Sequence, residues 1–316
     1  MRTLVYRAGQ ADAGDRLDRW VARRSGGALS RSHVQKLIRE GMVSVDGKVE
    51  DRPGAVVRFG VEVSISVPDP KPMRAVPEDI PLDVVYEDAD ILVVNKPRGL
   101  VVHPAPGNPA GTLVNAVLFR CGDLRGINDV LRPGIVHRLD KDTTGLMVVA
   151  KNGDAYGSLS KQIKDKGVLR LYLALVHGVV RNDMVIEEPI GRHPVHRKRM
   201  AVVPSGKPAT TVVRVAEKFR EHSLVECELK TGRTHQVRVH MSHVGHPVVG
   251  DRTYGGKKMP GLGGQALHAW RLCFRHPSDG RPLEFSVPPP SDFRNVLERL
   301  RRSSAVDNHT LRRDLE

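Results

Sequence analysis

The sequence is poor in aromatic residues and cysteine, and it has no long hydrophobic run. Aromatic residues make up only 4% of the 316 positions, which argues against extensive stacking of nucleic-acid bases on an aromatic sheet. The three cysteines, Cys121, Cys227 and Cys273, are odd in number, far apart and without a CxxC pair, so we expect reduced, buried thiols in a cytoplasmic protein. No apolar run approaches the roughly 20 residues of a bilayer span. The N-terminus lacks a signal-peptide core, and no membrane association is expected.

Positive charge is in excess. Lys and Arg number 50 against 36 Asp and Glu, which gives a formal net charge of +14. Such an excess favours polyanionic partners, nucleic acid first and an anionic membrane second, and the lack of a membrane segment leaves nucleic acid. The length suits about two domains, and 40% hydrophobic residues can fill their cores.

Residues 15–68 are predicted to form two helices followed by a small sheet. Leu17 and Trp20 share the apolar face of the first helix, and Ser30 is a good N-cap for the second. Alternating apolar residues from Val43 onward then predict strands.

The predicted helix pair is strongly basic. It has one acidic residue, Asp18, and its seven basic residues are Arg16, Arg19, Arg23, Arg24, Arg31, Lys36 and Arg39. A solvated helical surface would carry mixed signs, so contacts with nucleic-acid phosphates explain the excess better. The basic loop from Arg192 to Arg199, which includes Arg197 and Lys198, is a second candidate contact.

A proline-rich segment, residues 69–79, cannot form a regular element and is predicted to be a linker. It separates a first domain, 15–68, from a second domain, 80–302. The last element of the second domain is predicted to be a basic helix, Phe293–Arg302. The polar residues 303–316 are predicted to form a disordered tail.

The central stretch of the chain, Gly134–Lys151, is predicted to form a strand, a polar turn and a buried strand; its sequence is GIVHRLDKDTTGLMVVAK. A charged turn between two buried strands is where a rigid scaffold presents reactive groups. Arg138 and Lys141 flank Asp140 and would keep its carboxylate ionised and able to act as a nucleophile or base. The alternative is an ordinary surface turn with a local ion pair.

Two further stretches place polar side chains in predicted elements. In RLYLALVHG, alternation puts Tyr172 on the strand face opposite the leucines, where it lies either at a site or in a core with its hydroxyl satisfied. In TGRTHQVRVHM, Thr234 is a plausible N-cap of a helix. That start would place Arg233 at the mouth of the helix and Val237 on the adjoining turn.

A histidine cluster raises the question of a metal site. His235, His240, His243 and His246 are spaced by five, three and three residues, with no acid among them. A zinc-binding helix needs histidines four residues apart and a carboxylate near by. We therefore predict no metal site here.

These stretches together resemble the motifs of pseudouridine synthases of the RluA/RluD type. HRLDKDTTGL resembles their catalytic motif, RLYLALVHG the second motif and TGRTHQVRVHM the third, in the family's order. Residues 15–68 resemble the small RNA-binding domain first described in ribosomal protein S4, through RLD, SRS and GMVSV. One departure is Val61, which follows Gly60 where that family often has Asp.

The resemblance implies an α+β fold, with a mixed, largely antiparallel central sheet flanked by helices and a small α/β RNA-binding domain. It implies an isomerase that converts uridines to pseudouridine in structured RNA, with large-subunit ribosomal RNA as the expected substrate. We expect it to act in the cytoplasm as a monomer, without a cofactor. A synthase for transfer RNA and a non-catalytic RNA-binding factor of ribosome assembly are the alternatives. A nucleotide hydrolase would need paired carboxylates or a metal, and the sequence shows neither.

The resemblance also implies roles for individual residues. Asp140 would be the catalytic residue, with Arg233 paired to it, and Tyr172 would pack on the target base and help to move its proton. Val237 would shape the base pocket, and Arg138 would fill the gap left by the extruded uridine. The remaining predicted substrate contacts are His137, Thr144 and Gly145. Three routes stay open for the aspartate: attack on the sugar carbon, addition to the base ring, and abstraction of a ribose proton.

Overall fold

The computed structural model describes residues 2–313, apart from Gly27, 69–74, Pro106, Asp123, 125–126, 128–132 and Lys198, and it describes side chains as far as Ser303. The chain divides into two compact units, Met1–Pro72 and Met73–Glu316, called unit 1 and unit 2 below. Residues 69–74 of the predicted linker, 69–79, lie outside the described residues. Within the described ranges, no helix is both long and apolar enough to cross a bilayer.

Unit 1 pairs two helices with a small sheet. Its elements are β1 (Arg2–Arg7), α1 (Leu17–Arg24), α2 (Arg31–Arg39), β2 (Val43–Val45), β3 (Lys48–Val49) and β4 (Glu62–Val67). The strands are antiparallel and lie in the order β1-β4-β2-β3. Ser30 caps α2 as predicted, because its hydroxyl accepts a hydrogen bond from the His33 amide at 3.2 Å.

A buried carboxylate joins the two helices of unit 1. Asp18 of α1 is fully buried and accepts hydrogen bonds from three side chains, which are Arg16, Gln35 and Arg31. Burial alone would raise the pKa of Asp18, but these hydrogen bonds together lower it well below its ordinary value. The ionised carboxylate therefore fixes the start of α2 against α1.

Unit 2 is built on a large mixed sheet. Its strands are β5 (Val84–Glu87), β6 (Ile91–Lys96), β7 (Thr144–Ala150), β8 (Leu169–His177), β9 (Met184–Glu187), β10 (Ile190–Arg192), β11 (Met200–Val202), β12 (Thr210–Lys218), β13 (His222–Leu229), β14 (Leu267–Arg275) and β15 (Pro282–Ser286). Its helices are α3 (Leu113–Cys121), α4 (Gly153–Lys164), α5 (Gln236–His243) and α6 (Ser291–Arg313).

The main sheet of unit 2 has nine strands, in the order β5-β6-β7-β14-β8-β13-β12-β9, with β15 beside β14. Every pairing in it is antiparallel except that of β7 with β14. Strands β10 and β11 form a separate antiparallel ribbon. The expected mixed, largely antiparallel sheet is confirmed.

Strand β7 lies in the interior of the unit, and all seven of its residues are buried. Met147 belongs to the same hydrophobic cluster as Leu113 of α3, on one face of the sheet. Leu146 belongs to the cluster of Leu159 of α4, on the other face. Because successive side chains of a strand point to opposite faces, a strand covered on both needs a continuous apolar run, which is what this sequence has.

Helix α6 is longer than the sequence predicted. We expected the helix to end at Arg302 and a disordered tail to begin at Ser303, but the helical backbone continues to Arg313. The stretch from Ser291 to Arg313 contains neither glycine nor proline, the two residues that most disfavour a helix interior. Nothing in the sequence therefore ends the helix at Arg302.

The three cysteines are free thiols, as expected. Cys227 is buried, and burial raises the pKa of its thiol to about 12. Cys121 and Cys273 are half-buried rather than buried, since the first is the last residue of α3 and the second lies near the end of β14.

We expect Asp18→Asn to lower the free energy of unfolding of unit 1 by about 2 kcal/mol at pH 7, because the amide cannot accept the charge-assisted hydrogen bonds of Arg16 and Arg31. Urea unfolding followed by the fluorescence of buried Trp20, in a Trp270→Phe background, would measure this in unit 1 alone.

Because folding lowers the pKa of Asp18, its stabilising effect is fully present above the unfolded value of about 3.8 and is lost as the pH falls through the folded value. The difference between wild type and Asp18→Asn should therefore shrink below about pH 4. Asp51→Asn, at an exposed position in the same unit, is the control and should leave stability unchanged. Equal losses at both positions would refute this account of Asp18.

Candidate active site

Asp140 lies in the turn that leads into β7. The turn is closed by a hydrogen bond from the Thr143 amide to the Asp140 carbonyl at 3.2 Å. Before the turn, Ile135 makes a single bridge to Val149 of β7, so the predicted first strand is reduced to one bridged residue. The Asp140 side chain is 15% exposed, which leaves the carboxylate accessible at the floor of a cleft.

The carboxylate of Asp140 pairs with the buried guanidinium of Arg238. Nη1 of Arg238 donates to Oδ2 of Asp140 at 2.8 Å. Its Nε and Nη2 donate to the two carboxylate oxygens of Asp251, at 2.6 and 3.0 Å. Burial alone would lower the pKa of Arg238, but the bonds to Asp251 and the charge of Asp140 raise it above its ordinary value. One permanent cation is thus shared by two carboxylates.

The predicted pairing of Arg233 with Asp140 is wrong. Nε of Arg233 donates instead to the carbonyl of Pro208 at 3.0 Å, and no ion pair of Arg233 is found among the described residues. Helix α5 is capped by His235 in the left-handed region (φ 58°) and not by Thr234, the cap that the sequence predicted. Arg238 lies in the first turn of α5 and reaches Asp140, whereas Arg233 lies in the loop before the helix, where the Pro208 carbonyl takes up its Nε.

The motif TGRTHQVRVHM contains both arginines, so the sequence alone does not separate them. Asp251, downstream of the motif, was the available signal, because an arginine buried in a helix needs a carboxylate partner. Gln236 holds the loop before the helix, since its side-chain oxygen accepts hydrogen bonds from the Thr231 hydroxyl at 2.7 Å and the Arg233 amide at 2.9 Å.

His235 lies next to the other oxygen of the carboxylate. Its Nε2 is 3.7 Å from Oδ1 of Asp140, and its Nδ1 is 2.7 Å from the hydroxyl of Tyr254. Burial lowers the pKa of His235, and the opposing effect of the Asp140 charge is smaller, so the pKa lies below its ordinary value. At neutral pH the ring is therefore uncharged, and Arg238 is the cation that pairs with Asp140.

Tyr172 of β8 faces the same side of the sheet as Asp140. Its ring is buried in the cluster that also contains Val237 of α5. Burial is the largest cause that raises the pKa of Tyr172 to about 12, so its phenol stays neutral at physiological pH. Among the described residues its hydroxyl has no hydrogen-bond partner. It is therefore not a core tyrosine with a satisfied hydroxyl, which was the alternative from sequence.

These side chains line two adjoining cavities. A cleft of about 510 Å³ is bounded by the Asp140 turn, the end of α4, β8 and the loop before α5, and a smaller cavity of about 50 Å³ lies beside Asp140 and Val237. Asp140 is the only carboxylate among the described residues that line either one. The cations that line the cleft are Arg138, Lys164, Lys166, Arg170, Lys230 and Arg233.

The remaining predicted substrate contacts divide into two groups. Arg138 is exposed and lines both cavities, and His137 lines the cleft while its Nε2 accepts a hydrogen bond from the Val148 amide at 3.1 Å. Burial, with a smaller effect of Arg170, lowers the pKa of His137 to about 3, so this ring is a neutral acceptor.

Thr144 and Gly145 do not line the two cavities. The Thr144 hydroxyl is 2.8 Å from Nδ1 of His268, inside the sheet. Gly145 has a φ of 110°, and a Cβ there would lie 2.2 Å from the carbonyl oxygen of Ala269 in the parallel neighbour β14. Both residues therefore pack β7 against β14, and their contact with a substrate stays a prediction.

Some of the predicted nucleic-acid contacts of unit 1 are paired with carboxylates of the protein, and others are not. Arg16 and Arg31 bond to Asp18, and Arg23 bonds to Asp12 and Asp15, so these three are tied to the fold. Nζ of Lys36 is 3.7 Å from Glu40, and Arg19 and Arg39 have no partner among the described residues. In unit 2, Arg197 is exposed, and Lys198 lies outside the described residues.

Three of the four histidines of the cluster, His235, His240 and His246, make hydrogen bonds within the protein. His240 bonds to Thr211 and to the carbonyl of Glu188, and Nδ1 of His246 is 2.9 Å from the carbonyl of His177. Among the described residues one group, Asp88, Asp90 and His276, has the spacing of metal ligands. The oxygens of its carboxylates already accept hydrogen bonds from the protein, including those from Tyr86, Asn152 and Ser278.

The chain is similar to known proteins over almost its whole length. A sequence model of the RNA pseudouridylate synthase family matches residues 90–243, and one of the S4 domain matches residues 15–63. The chain is 45% identical over 304 residues to an uncharacterised RNA pseudouridine synthase, YlyB, of Bacillus subtilis (strain 168), covering 96% of this chain and 100% of the relative. It is also 45% identical over 311 residues to ribosomal large subunit pseudouridine synthase D of Escherichia coli (strain K12), covering 94% of each.

Among solved structures, human RNA pseudouridylate synthase domain containing 1 is similar with a TM-score of 0.52 and 31% identity, over 70% of this chain and 86% of that one. Human RNA pseudouridylate synthase domain containing 4 gives a TM-score of 0.55 and 26% identity, over 69% of this chain and 92% of the other.

We expect Arg238→Met to lower the free energy of unfolding of unit 2 by about 3 kcal/mol, because it leaves the carboxylates of Asp140 and Asp251 without their shared cation. Arg233→Met is the matched control and should cost less than about 0.5 kcal/mol, since its charge is not paired. Urea unfolding of the two variants measures both values. The pairing described here would be refuted if Arg233→Met were the more destabilising change.

Proposed function

The chain belongs to the RNA pseudouridylate synthase family, and on that basis we propose that it converts uridines of large-subunit ribosomal RNA to pseudouridine, with Asp140 as the catalytic carboxylate and without a cofactor. The family expected from the three motifs is thereby confirmed, and the chain is an RNA pseudouridine synthase. The proposed substrate is supported by the 45% identity to the Escherichia coli relative that is named for the ribosomal large subunit. We further propose that it works as a monomer in the cytoplasm.

The reaction sets few chemical requirements. The bond from the ribose carbon to N1 of uracil breaks, the base turns, and a new bond joins the same ribose carbon to C5. C5 loses its hydrogen and N1 gains one, so the isomerisation needs neither net oxidation nor water. It needs one carboxylate, a pocket that holds the detached base, and exclusion of water from the reacting atoms.

The observation that carries the proposal is the single carboxylate in a cationic cleft. Asp140 has one oxygen fixed by Arg238, whereas the other, near neutral His235, is free of any described hydrogen bond. An oriented carboxylate with one unbonded oxygen can act on the sugar carbon, on the base ring or on a ribose proton. All three routes use the same oxygen in the same cavity.

The groups for holding the base lie around that oxygen. The neutral phenol of Tyr172 offers a ring for stacking and a hydroxyl to donate or accept a hydrogen bond. Val237 and Leu229 form apolar walls of the small cavity. We propose that the uridine leaves its RNA stem to enter this cavity and that exposed Arg138 occupies the space it vacates.

The cations around the cleft provide contacts for the RNA backbone. Lys164 and Lys166 at the end of α4 have no acidic partner among the described residues. Arg170 of β8 is buried, and it too lacks a carboxylate partner in the described part of the chain. We propose that these cations contact phosphates that flank the extruded uridine.

We expect Asp140→Asn to reduce isomerisation below about a thousandth of wild type, since it removes the charge but keeps the shape of the side chain. RNA affinity should hardly change. The rate is measured as tritium release from C5 of labelled uridine in RNA. Asp154→Asn, on the exposed start of α4, is the control and should keep full activity.

The substrate is tested in a strain that lacks the protein, complemented with wild type or with Asp140→Asn. Carbodiimide-dependent primer extension across ribosomal and transfer RNA should show pseudouridines in large-subunit RNA that return only with wild type. Sites that return only in transfer RNA would refute the proposed substrate. Sites that return with Asp140→Asn would refute the role of Asp140.

We expect the double change Arg19→Gln and Arg39→Gln to reduce the slope of log affinity for ribosomal RNA against log salt by about 1.5, because each phosphate contact contributes roughly 0.7 to 0.9. These two arginines lie in unit 1 and have no partner in the part of the chain that the structure describes. Salt-titrated filter binding measures the slope. Arg52→Gln, whose charge is paired with Glu50, should leave it unchanged, and an unaltered slope in the double variant would contradict RNA binding by this helix pair.

A further inference from the structure

Lys96, the last residue of β6, is a buried cation that the proposed reaction does not use. It is 1% exposed, and its Nζ donates hydrogen bonds to three backbone carbonyls, those of Pro97 and Leu100 at 2.9 Å and of Lys141 at 3.0 Å. No carboxylate lies within ion-pair distance of Nζ among the described residues. The three donors of an ammonium group are therefore all used, and all by the backbone.

The third of these carbonyls belongs to the residue directly after Asp140. The Lys141 carbonyl also accepts a hydrogen bond from the Gly99 amide at 2.9 Å. The next carbonyl, that of Asp142, accepts one from Nη1 of Arg98 at 3.0 Å. The segment from Lys96 to Leu100 thus holds the Asp140 turn at two consecutive carbonyls.

The register of the sheet adds a further constraint. Lys96 of β6 is paired with Gly145 of β7, the second residue of the strand that follows the turn. Lys96 consequently holds the turn through its side chain near Asp140 and through its backbone at Gly145. A shift of its ammonium group would be transmitted to the residue next to the catalytic carboxylate.

The protonation state of Lys96 decides whether all three bonds can form. A neutral amine has two N–H donors and one lone pair, so one carbonyl would lose its donor and face the lone pair. Burial is the largest effect on the pKa of Lys96 and lowers it to about 8. The positive charge of Arg98 also lowers this pKa, whereas the negative charges of Asp142 and Asp140 raise it. On β14, His268 faces the same turn through Thr144, and burial lowers its pKa to about 4, so it stays neutral over this range.

We propose that Lys96 is a positioning residue for Asp140: its ammonium group holds the Asp140 turn in the reactive geometry, and loss of a proton from it limits catalysis at alkaline pH. The proposal rests on the proposed role of Asp140. Lys96 itself is buried away from the cleft and is not among its lining residues.

Stability and activity should respond to this proton in opposite directions. The pKa of Lys96 in the folded protein lies below its ordinary value of 10.5. The contribution of Lys96 to the free energy of unfolding is therefore largest above pH 10.5 and is lost as the pH falls through about 8. Raising the pH from 7 to 9 should therefore not unfold the protein on account of Lys96, while activity falls. A merely structural role would make activity follow folding.

The test compares four full-length proteins between pH 6.5 and 9: wild type, Lys96→Arg, Lys96→Met and Lys151→Met. Single-turnover tritium release from saturating labelled stem-loop RNA gives the rate, and thermal unfolding by circular dichroism gives the stability at each pH. Lys151 is a control, because it is a lysine of unit 2 that is partly buried and is paired with Glu87. Ionisation of the RNA acts on all four proteins alike.

For wild type and Lys151→Met we expect the rate at pH 9 to be about tenfold below the plateau near pH 7, as for loss of one proton with a pKa of about 8. Lys96→Arg, whose guanidinium stays charged, should show no such fall. Lys96→Met should be at least tenfold slower at every pH, with little change in KM.

The proposal is overturned if wild type keeps its rate to pH 9, or if Lys96→Arg falls as wild type does. A rate for Lys96→Met equal to that of wild type would overturn it as well. If Lys96→Met does not fold, the profiles of Lys96→Arg and Lys151→Met still decide. Asp140→Asn is assayed in parallel: activity in that variant would refute the proposed function, whereas an inactive Asp140→Asn with unaffected Lys96 variants would refute only the role of Lys96.

Discussion

The ion pairs of Arg238 with Asp140 and Asp251 are the interaction on which the site depends. Asp251 takes two N–H groups of the guanidinium in a fork, which fixes the plane of the group and leaves Nη1 directed at Asp140. Since Arg238 is 8% exposed, none of this geometry relies on solvent. The orientation of Asp140 is therefore set by the fold itself, which is the preorganisation that the proposed catalysis by its charge requires.

Local patterns in the sequence were enough to place Asp140 and Tyr172 in their elements, whereas their proposed roles and the type of sheet were expected from the resemblance to a family. The alternation around Tyr172 fixes which face it occupies, and a polar turn before an apolar run places Asp140 at the entrance to a buried strand. The partner of Asp140 could not be predicted in this way, because it lies 98 residues away in sequence, and no local pattern shows which residue of α5 meets the Asp140 turn. Both arginines belong to the same motif, and only the folded structure shows that Arg238 and not Arg233 reaches Asp140.

Contacts between residues distant in sequence account for most of the other differences. Gly145 and Thr144 follow Asp140 closely in sequence, and the close approach of β14, which no local pattern shows, packs both of them against that strand. In unit 1, the folded structure likewise pairs some of the basic side chains with carboxylates and leaves others exposed. Asp18 takes up Arg16 and Arg31, so only part of that charge can meet phosphates. Net charge indicates the class of partner, whereas the ion pairs show which residues are available to it.

The most direct test of this account is a crystal structure of the Asp140→Asn protein with a uridine-containing RNA stem-loop. We expect the uridine outside its stem, its base against Tyr172, and its ribose beside the side chain at position 140, with Arg238 still paired to Asp251. A uridine bound elsewhere, for example in the separate cavity of about 630 Å³ that Arg252 and Lys258 line, would contradict the assignment of the active site.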